Sequence, residues 1–308
     1  MMRIGIIGAG AMGQLFGARL KAAGNNVVLV DVSQNTIDVL NSKGVTVRTA
    51  SSEVHVPVSA SFAANVQDPL DLVIVFTKGF HTKTAVASVK HLFHEETLGL
   101  TLQNGVGNEQ VLLKELGQER TLAGMTDFPA DRLGGGIIGS ADSGHAVLGD
   151  AVPVERVSPA ATAVAGILDS AGLNTVTHPD VRIPVWEKLI FNTVMNTIGG
   201  ATGITVGETG QVDHARKLAE QIFTEAIAVA TACGIEVSEE NIRNSLRNAF
   251  ESHADHKTSM TADVEAGFPT EIETIGGAVE AAGKEQGIET PVLSVLCDVV
   301  RLRTLPRN

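Results

Sequence analysis

The sequence predicts an α/β Rossmann-type N-terminal domain followed by an all-α C-terminal domain. In the first half, short runs rich in Val, Ile and Leu alternate with helix-like segments, which is typical of a parallel sheet with helices on both faces. From Val181 onward the apolar residues recur with helical period and strand signals vanish. We therefore expect one domain over residues 1–179 and a helical one over residues 180–308, with a cleft between them.

Four apolar runs are the expected strands of the sheet, at residues 3–7, 27–30, 70–77 and 98–102. Residues 11–23 have helical spacing and are followed by Gly24, a natural C-terminal cap. Residues 134–150 are rich in Gly and Ser and predict a hairpin at the sheet edge.

Helical periods in the second half predict helices at residues 212–233 and 271–286. Ser238 is the predicted N-cap for a further helix that runs toward His253. Thr290-Pro291 starts the last helix, with Pro at the first helical position. His253 could share a face with His256, but a metal would need a third ligand, so we predict no metal site.

Composition and charge exclude several classes of function. The chain has 308 residues and a formal net charge of -12, so it lacks the basic footprint of proteins that bind nucleic acid or anionic membranes. It has no apolar run long enough to span a membrane and no signal peptide. Cys233 and Cys297 are typical of buried small hydrophobes in a reducing compartment. We therefore expect a cytoplasmic protein that acts on a small molecule.

A G-x-G-x-x-G motif lies between the first predicted strand and helix, and its residues are Gly8, Ala9, Gly10, Ala11, Met12 and Gly13. This context distinguishes a dinucleotide-binding turn from an ordinary glycine-rich turn. Gly8 permits the tight turn, Gly10 lets the backbone approach a pyrophosphate, and Gly13 lets helix and strand pack closely. The helix N-terminus presents N–H groups and partial positive charge to the phosphates. We therefore predict a dinucleotide cofactor.

Asp31 closes the second predicted strand and bears on the choice of cofactor. A carboxylate there can accept hydrogen bonds from both ribose hydroxyls of the adenosine and would repel a 2′-phosphate, which favours NAD(H) over NADP(H). No Arg or Lys follows until Lys43, so the usual partner of that phosphate is missing. The alternative is an aspartate that only caps the loop after the strand.

Three polar residues, Lys188, Asn192 and Asn196, are spaced at i, i+4 and i+8 and therefore line one face of a predicted helix. The residues between them are mostly apolar, so we expect the helix to be buried, where polar side chains need partners. This pattern indicates a site with one cation and two amides. A polar stripe facing solvent is the alternative, and the spacing alone does not decide between them.

Further motifs accompany these features along the chain. They are V-F-T-K at residues 75–78, Q-N-G at 103–105, W-x-K-L-x-x-N-x-x-x-N at 186–196, S-M at 259–260 and P-T-E-I at 269–272. In this combination the sequence resembles the 2-dehydropantoate 2-reductases, or ketopantoate reductases, over nearly its whole length. The resemblance implies reduction of 2-dehydropantoate to pantoate in pantothenate biosynthesis, and a helical domain similar to that of 6-phosphogluconate dehydrogenase.

The resemblance also implies roles for the matching residues. Lys188 matches the family's catalytic lysine, which donates a proton to the oxygen of the C2 carbonyl. Glu271 matches the acid that orients the substrate and the lysine, and Lys78 matches a lysine near the nicotinamide. Residues that hold the substrate's carboxylate and hydroxyl or the nicotinamide ribose are matched by Asn104, Asn192, Asn196 and Ser259.

The implied chemistry suits these residue types. Reduction at C2 turns a carbonyl oxygen into an alkoxide, which a nearby ammonium can stabilise and protonate. Lysine is cationic at neutral pH without any tuning. Apart from the resemblance, Glu271 would be read as an acidic residue at a helix N-terminus, where the helix dipole favours it.

Two departures from the family's pattern affect cofactor and substrate. Asp31-Val32 stands where the family often has a basic residue, which puts its usual NADPH preference in doubt. After Asn196 the chain reads Thr-Ile-Gly-Gly-Ala where the family commonly reads Pro-Leu-Thr-Ala. Val206 stands about where some members carry a further substrate-binding Asn. An apolar residue there would favour a 2-oxo acid with an apolar side chain, the substrate of NAD-dependent D-2-hydroxyacid dehydrogenases related to this family.

Three hypotheses follow from the sequence. The first is reduction of 2-dehydropantoate or a near analogue, and the second is reduction of a different 2-oxo acid with NADH. The third is a non-catalytic NAD(H)-binding sensor, against which the intact set of Lys188, Asn192 and Glu271 speaks. Exposed helices in the second half could support a homodimer.

Overall fold

The computed structural model describes residues 2–252 and 254–305 and confirms the predicted fold class. Its contacts divide the chain into two compact units. The first, the α/β unit, comprises Met1–Gln103 and Asn108–Val181, and the second, the helical unit, comprises Asn104–Gly107 and Arg182–Asn308. Neither unit is therefore one continuous stretch of chain. The functional boundary that we place after residue 179 stays a prediction.

The strands of the α/β unit form two sheets. In the described residues they are β1 (Arg3–Ile7), β2 (Asn26–Val30), β3 (Val45–Arg48), β4 (Glu53–Val56), β5 (Ser59–Ser61), β6 (Leu72–Val75), β7 (Leu98–Thr101), β8 (Thr121–Thr126), β9 (Ala130–Gly134), β10 (Ile137–Ser140), β11 (Ala146–Asp150) and β12 (Thr175–Thr177). The four predicted apolar runs are confirmed as β1, β2, β6 and β7. The other strands were not among the predicted runs, and pairing with their neighbours stabilises them.

The main sheet has the strand order β12-β11-β8-β7-β6-β1-β2-β5. β1 pairs in parallel with β2 on one side and with β6 on the other. The chain thus leaves β1 toward one edge and returns on the other side of β1 at β6. This makes the carboxyl ends of β1 and β6 a topological switch point, where open α/β sheets bind their ligands.

Helices cover both faces of the main sheet. In chain order they are α1 (Ala11–Ala22), α2 (Gln34–Lys43), α3 (Thr82–Val89), α4 (Glu109–Leu116) and α5 (Pro159–Leu168). Along β6, Leu72 and Ile74 join a core cluster with residues of α1 and α5, whereas Val73 and Val75 join one with residues of α3 and α4. A strand buried on both faces therefore reads as a continuous apolar run.

The second sheet has the order β4-β3-β10-β9 and corrects one expectation. A hairpin is present, but it joins β9 and β10 at the edge of this smaller sheet and begins at Ala130. The rest of the predicted segment forms β11, which lies inside the main sheet between β8 and β12. The glycines at 134–136 have positive φ and lie at the turn between β9 and β10. The residues after β10 then lead the chain into the main sheet.

The helical unit is built around one long helix. In the described residues its helices are α6 (Arg182–Thr202), α7 (Val206–Gln211), α8 (Asp213–Ala232), α9 (Glu239–Ser252), α10 (Ser259–Ala266), α11 (Gly276–Gln286) and α12 (Pro291–Arg303). α6 contacts each of the others, so its apolar residues form the centre of the core. No helix within 2–252 or 254–305 has both the length and the apolar character needed to cross a bilayer.

Several helix predictions are confirmed at their ends. The predicted helix at 212–233 is α8, and α12 starts at Pro291. Ser238 Oγ accepts a hydrogen bond from the backbone N–H of Asn241 at 3.2 Å, so it caps α9 as expected. His253, at the predicted end of that helix, lies outside the described residues, and the absence of a metal site there stays a prediction.

Candidate active site

The turn between β1 and α1 needs glycine because side chains at two of its positions would collide with the backbone. Gly8 has φ of 100°, and a Cβ there would lie 2.8 Å from the backbone nitrogen of Thr77. A Cβ at Gly13 would collide with the carbonyl oxygen of Gly8, because α1 packs closely against the turn. At Gly10 a Cβ would meet nothing within 4 Å, so this side of the turn is open. The turn and the close packing are as predicted, and pyrophosphate binding at Gly10 stays a prediction.

The N-terminus of α1 fits an anionic group. Gly10 caps the helix without a side-chain hydrogen bond, and the first turn contains no acidic residue. Ala9 is fully buried, while Ala11 and Met12 are half-buried. Backbone N–H groups at such a helix start, together with the helix dipole, are suited to a pyrophosphate.

Asp31 connects the end of β2 to the glycine turn. Its Oδ2 accepts a hydrogen bond from the N–H of Ala9 at 2.9 Å, and its Oδ1 accepts one from the N–H of Ser33 at 2.9 Å. Each carboxylate oxygen has a second lone pair that could accept a hydrogen bond from a ribose hydroxyl. Val32, which follows, is 93% exposed. The loop-capping role is therefore present, and it leaves room for the cofactor role.

Lys78 lies three residues beyond the end of β6 and is half-buried. Its carbonyl oxygen accepts a hydrogen bond from the N–H of His81 at 2.9 Å, which starts a short 3-10 turn. The preceding residue, Thr77, is attached to the end of the neighbouring strand: its carbonyl oxygen accepts a hydrogen bond from Gln103 Nε2 at 2.6 Å. Lys78 thus follows β6 at the switch point of the sheet, and its place near a nicotinamide stays a prediction.

The polar face of α6 is confirmed as a partly buried feature. Lys188 and Asn192 are half-buried and Asn196 is 6% exposed, so the three residues do not form a stripe that faces solvent. Lys188 Nζ donates a hydrogen bond to Asn104 Oδ1 at 2.8 Å. The candidate catalytic ammonium is therefore held by an amide that lies 84 positions earlier in the chain.

The segment Asn104–Gly107 also contacts the turn that carries Glu271. The N–H of Val106 donates a hydrogen bond to the carbonyl oxygen of Thr274 at 3.2 Å. A Cβ at Gly105, which has φ of 85°, would collide with that same oxygen. The N–H of Thr274 in turn donates to the carbonyl oxygen of Glu271 at 3.1 Å. Within the helical unit, one short segment thus joins Lys188 to the Glu271 turn.

The predicted helix at 271–286 starts five residues too early. Glu271 precedes a 3-10 turn, Ile272–Thr274, and α11 begins only at Gly276. The break falls at Ile275, whose φ of -109° and ψ of -95° are not helical. A Cβ at Gly276 would lie 2.6 Å from Cys297 Sγ, so α11 starts where its backbone can pack closely on α12. Glu271 therefore does not sit at the start of an α-helix.

Arg301 on α12 fixes this turn by ion pairs. Its Nε and Nη2 donate hydrogen bonds to the two carboxylate oxygens of Glu273 at 2.8 and 2.9 Å. Nη2 also contacts Glu280 of α11 at 2.9 Å. The hydrogen bond from Arg301 lowers the pKa of Glu273 below its ordinary value. A bidentate pair of this kind sets the orientation of the turn as well as its charge.

Two residues with predicted substrate roles lie elsewhere in the helical unit. Ser259 is the first residue of α10 and is exposed, while the helix is capped by Thr258, whose side chain accepts a hydrogen bond from the N–H of Thr261. Val206 is the first residue of α7, is 5% exposed and belongs to the apolar core. Substrate contacts of both residues stay predictions.

Sequence reasoning assigned no role to some residues that build the site. Gln103 belongs to the Q-N-G motif, yet its side chain was given no function, and Thr82 and Thr274 belong to no motif at all. Only the glycine at 105 carried a signal, because a glycine that follows two polar residues just after a strand indicates a special backbone conformation. Hydrogen bonds between distant segments leave no local pattern.

Comparisons with known proteins point to one family over nearly the whole chain. Residues 4–153 match the model described as "Ketopantoate reductase PanE/ApbA", and residues 180–304 match "Ketopantoate reductase PanE/ApbA C terminal". A 2-dehydropantoate 2-reductase of Streptococcus pyogenes serotype M3 is 29% identical over 312 residues, which cover 100% of this chain and 99% of the relative.

Two solved structures resemble the whole chain. The ternary structure of D-mandelate dehydrogenase with NADH and anilino(oxo)acetate is 28% identical, with a TM-score of 0.91 and coverage of 98% of each chain. A 2-dehydropantoate 2-reductase from Geobacter metallireducens GS-15 is 29% identical, with a TM-score of 0.91 and coverage of 98% of this chain and 99% of that chain.

Proposed function

Because the chain belongs to the ketopantoate reductase PanE/ApbA family, we propose that it reduces the C2 carbonyl of a small 2-oxo acid, with 2-dehydropantoate as the first candidate. Membership of the family makes the chain an NAD(P)-dependent oxidoreductase. In this proposal residues 1–179 hold the dinucleotide and residues 180–308 hold the substrate. The observation that carries it is the half-buried ammonium of Lys188, held by Asn104 on a face that also presents two amides.

Lys188 supplies the proton in this proposal. As the carbonyl carbon is reduced, its oxygen gains negative charge, which the ammonium stabilises and then neutralises by proton transfer. The hydroxyl forms, and the neutral amine regains a proton from water. Asn104 Oδ1 accepts a hydrogen bond from Nζ and thereby restricts where the ammonium points. Glu271, Asn192, Asn196 and Ser259 are assigned to orient the lysine and the carboxylate and hydroxyl of the substrate.

The nicotinamide dinucleotide supplies the hydride when it is bound. The glycine turn at residues 8–13 and the start of α1 are assigned to its pyrophosphate, and Lys78 and Asn104 to the nicotinamide end. Asp31 is assigned to the adenosine ribose, which makes NAD(H) the preferred form although NADP(H) is the usual cofactor of the family. The exposed Val32 supports this choice, since it places no cation beside a 2′-phosphate.

A second candidate is an NAD-dependent D-2-hydroxyacid dehydrogenase acting on a 2-oxo acid with an apolar side chain. The structural likeness to D-mandelate dehydrogenase bound to NADH, at 28% identity over 98% of this chain, favours it. The departures after Asn196 and at Val206 are in keeping with this candidate. A non-catalytic NAD(H) sensor, the third hypothesis from the sequence, is disfavoured by membership of this oxidoreductase family.

The candidates are separated by steady-state kinetics of the purified chain. NADH and NADPH are each tested with 2-dehydropantoate, phenylglyoxylate and 3-methyl-2-oxobutanoate, and the loss of reduced nicotinamide absorbance is followed. The first candidate requires the highest kcat/KM with 2-dehydropantoate, and the second with an apolar 2-oxo acid. Strong preference for NADPH would contradict the role of Asp31. Tight dinucleotide binding without turnover of any 2-oxo acid would indicate the sensor.

Replacing the proposed proton donor tests the mechanism directly. Lys188→Ala is expected to lower kcat by about 10²–10⁴-fold, the usual contribution of a positioned general acid. The dinucleotide Kd, measured by fluorescence titration, should stay the same because the glycine turn is untouched. Lys217→Ala, which removes an exposed lysine on α8, is the matched control and should retain full turnover. Turnover of Lys188→Ala within a few-fold of the parent would contradict the assignment.

A further inference from the structure

A chain of buried polar side chains joins the ends of β6 and β7. Gln103 Nε2 donates hydrogen bonds to the carbonyl oxygen of Thr77 at 2.6 Å and to Thr82 Oγ1 at 2.8 Å. Thr82 Oγ1 donates to Asn108 Oδ1 at 3.0 Å, and Thr101 Oγ1 donates to Gln103 Oε1 at 2.9 Å. Thr82, Thr101, Gln103 and Asn108 are all less than one-tenth exposed.

The direction of each hydrogen bond in this chain is determined by chemistry. A backbone carbonyl can only accept, so the amino group of the Gln103 amide must face Thr77. Thr82 Oγ1 therefore accepts from Gln103 and uses its own hydrogen for Asn108. A buried network whose members depend on one another in this way tolerates one arrangement of its side chains.

The network closes the base of the segment that holds the candidate catalytic lysine. Gln103 immediately precedes Asn104–Gly107, and Asn108 immediately follows it. Thr82 bridges these two flanking residues, with 2.8 Å to one and 3.0 Å to the other. Asn104 lies one peptide bond from Gln103, so the fixed side chain of Gln103 also fixes the direction in which the segment starts.

We propose that Gln103 and Thr82 are positioning residues for the reduction: by closing the base of Asn104–Gly107 they set the position of the Asn104 amide, and through it that of the Lys188 ammonium. This inference rests on the proposed function for the role of the lysine. Small displacements of a group that delivers a proton lower the rate strongly, because the transferred proton needs a short and aligned path.

The direct test is Thr82→Val, which keeps the shape of the side chain and removes its hydroxyl. It is expected to lower kcat with the best 2-oxo acid by about tenfold or more while the dinucleotide Kd stays within about twofold. Thr82→Ser restores the hydroxyl and should recover most of kcat. Gln103→Met is the second variant, and it should reproduce the loss because a thioether cannot donate to Thr77 or Thr82.

Thr97→Val is the matched control for a loss of stability. Thr97 Oγ1 is likewise buried, accepts a hydrogen bond from the N–H of His94 at 2.8 Å and donates to the carbonyl oxygen of Leu70 at 2.7 Å. Removing that hydroxyl should lower Tm about as much as Thr82→Val does, without lowering kcat. Equal loss of kcat in Thr97→Val and Thr82→Val would overturn the positioning role.

Hydrogen exchange provides a readout that does not depend on turnover. In Thr82→Val the amides of residues 104–107, including the N–H of Val106 that is bonded to Thr274, should exchange faster than in the parent, while Thr97→Val leaves them unchanged. Unchanged exchange and kcat in Thr82→Val would overturn the inference.

The two proposals fail in different ways. If Lys188→Ala kept full turnover, Lys188 would not be the proton donor and the proposed mechanism would be wrong, whatever the result for Thr82→Val. If Lys188→Ala were inactive while Thr82→Val and Gln103→Met kept full activity, the proposed function would stand. Only the positioning role would then be overturned.

Discussion

Asp31 holds the glycine turn through hydrogen bonds to the backbone, and its proposed contact with the adenosine ribose stays a prediction. Its two carboxylate oxygens accept the N–H groups of Ala9 and Ser33, both at 2.9 Å. The sequence places Asp31 at the end of the second predicted strand. Cofactor contact and loop capping were alternative interpretations of that position. The structure shows the capping contacts, and they leave lone pairs for a ligand, so the two roles are compatible.

Asp31→Asn is therefore expected to weaken NADH binding. An amide has one acceptor oxygen, so one backbone N–H loses its partner and faces an amino group instead. We expect a loss of about 1.4 kcal/mol, a factor of about ten in the Kd for NADH, measured by titration. Affinity for NADPH should fall less, because the like charge beside the 2′-phosphate is removed.

Asp38→Asn is the control for this experiment. Asp38 is exposed on α2 and accepts a hydrogen bond from Gln34 Nε2 at 2.7 Å, so its replacement alters the same charge without touching the turn. It should leave both affinities unchanged. If Asp31→Asn bound NADH as tightly as the parent, the proposed cofactor role of Asp31 would be contradicted.

The turn Ile272–Thr274 is held between elements that are distant in sequence. Arg301 of α12 pairs with Glu273 in the turn, and the carbonyl oxygen of Thr274 accepts the N–H of Val106. Since Glu273 side-chain atoms are 66% exposed, solvent weakens the ion pair, and its bidentate geometry is what makes it stabilising.

Glu273→Gln should lower stability in a way that depends on pH. Pairing with Arg301 lowers the pKa of Glu273 in the folded chain, so its stabilisation is present above the ordinary glutamate pKa and is lost as pH falls through the folded-state value. Chemical denaturation followed by Trp186 fluorescence should show the parent more stable by about 0.5–1 kcal/mol near neutral pH. The difference should vanish at strongly acidic pH.

Glu285→Gln is the comparison variant, because Glu285 is an exposed acid on the neighbouring α11. It should change stability little at any pH. A difference between the parent and Glu273→Gln that persisted or grew as the pH was lowered would show that the ion pair with Arg301 is not the cause.

Elements with a strong local signal were predictable and those made by pairing were not. β1 carries a continuous apolar run, and α6 carries a helical period across twenty-one residues. The 3-10 turn after Glu271 was missed because Glu-Ile-Glu-Thr continues the helical pattern, while the break at Ile275 follows from the close packing of Gly276 on Cys297. β4 was missed because its first three residues are exposed, and its pairing with β3 defines it as a strand.

The apolar core of the helical unit contains two side chains that can report its opening, one by fluorescence and one by chemical labelling. Trp186, the single tryptophan, is 6% exposed, and Cys297 is fully buried in the same cluster. Burial, with the nearby Glu280, raises the pKa of the Cys297 thiol well above its ordinary value. The thiolate is therefore scarce as long as this core is closed.

Labelling of Cys297 should report the opening of that core. In a Cys233→Ser background, iodoacetamide is expected to modify Cys297 only as denaturant unfolds the helical unit, with the same midpoint as the change in Trp186 fluorescence. The reagent's rate with Cys233, which is half-buried, is the reference for a partly accessible thiol. Native Cys297 reacting as fast as Cys233 would show that the core opens readily.

The two-unit organisation was predictable in outline. The change from alternating strands to helices near Val181 is a property of composition and period, which the sequence displays directly. The assignment of Asn104–Gly107 to the helical unit was not predictable from the sequence. Four residues that lie among strands and helices of the other unit have no hydrophobic period of their own. Assembly as a homodimer and location in the cytoplasm stay predictions.

The placement of Asn104–Gly107 in the helical unit has a consequence for chimaeras of this enzyme and its relatives. A chimaera joined at Val181 would contain the helices of this chain but not its segment Asn104–Gly107. Lys188 and Thr274 would then face the corresponding four residues of the other protein. Transfer of the helical unit therefore requires both of its segments, and chimaeras built without Asn104–Gly107 should lack the native hydrogen-bond partner of Lys188.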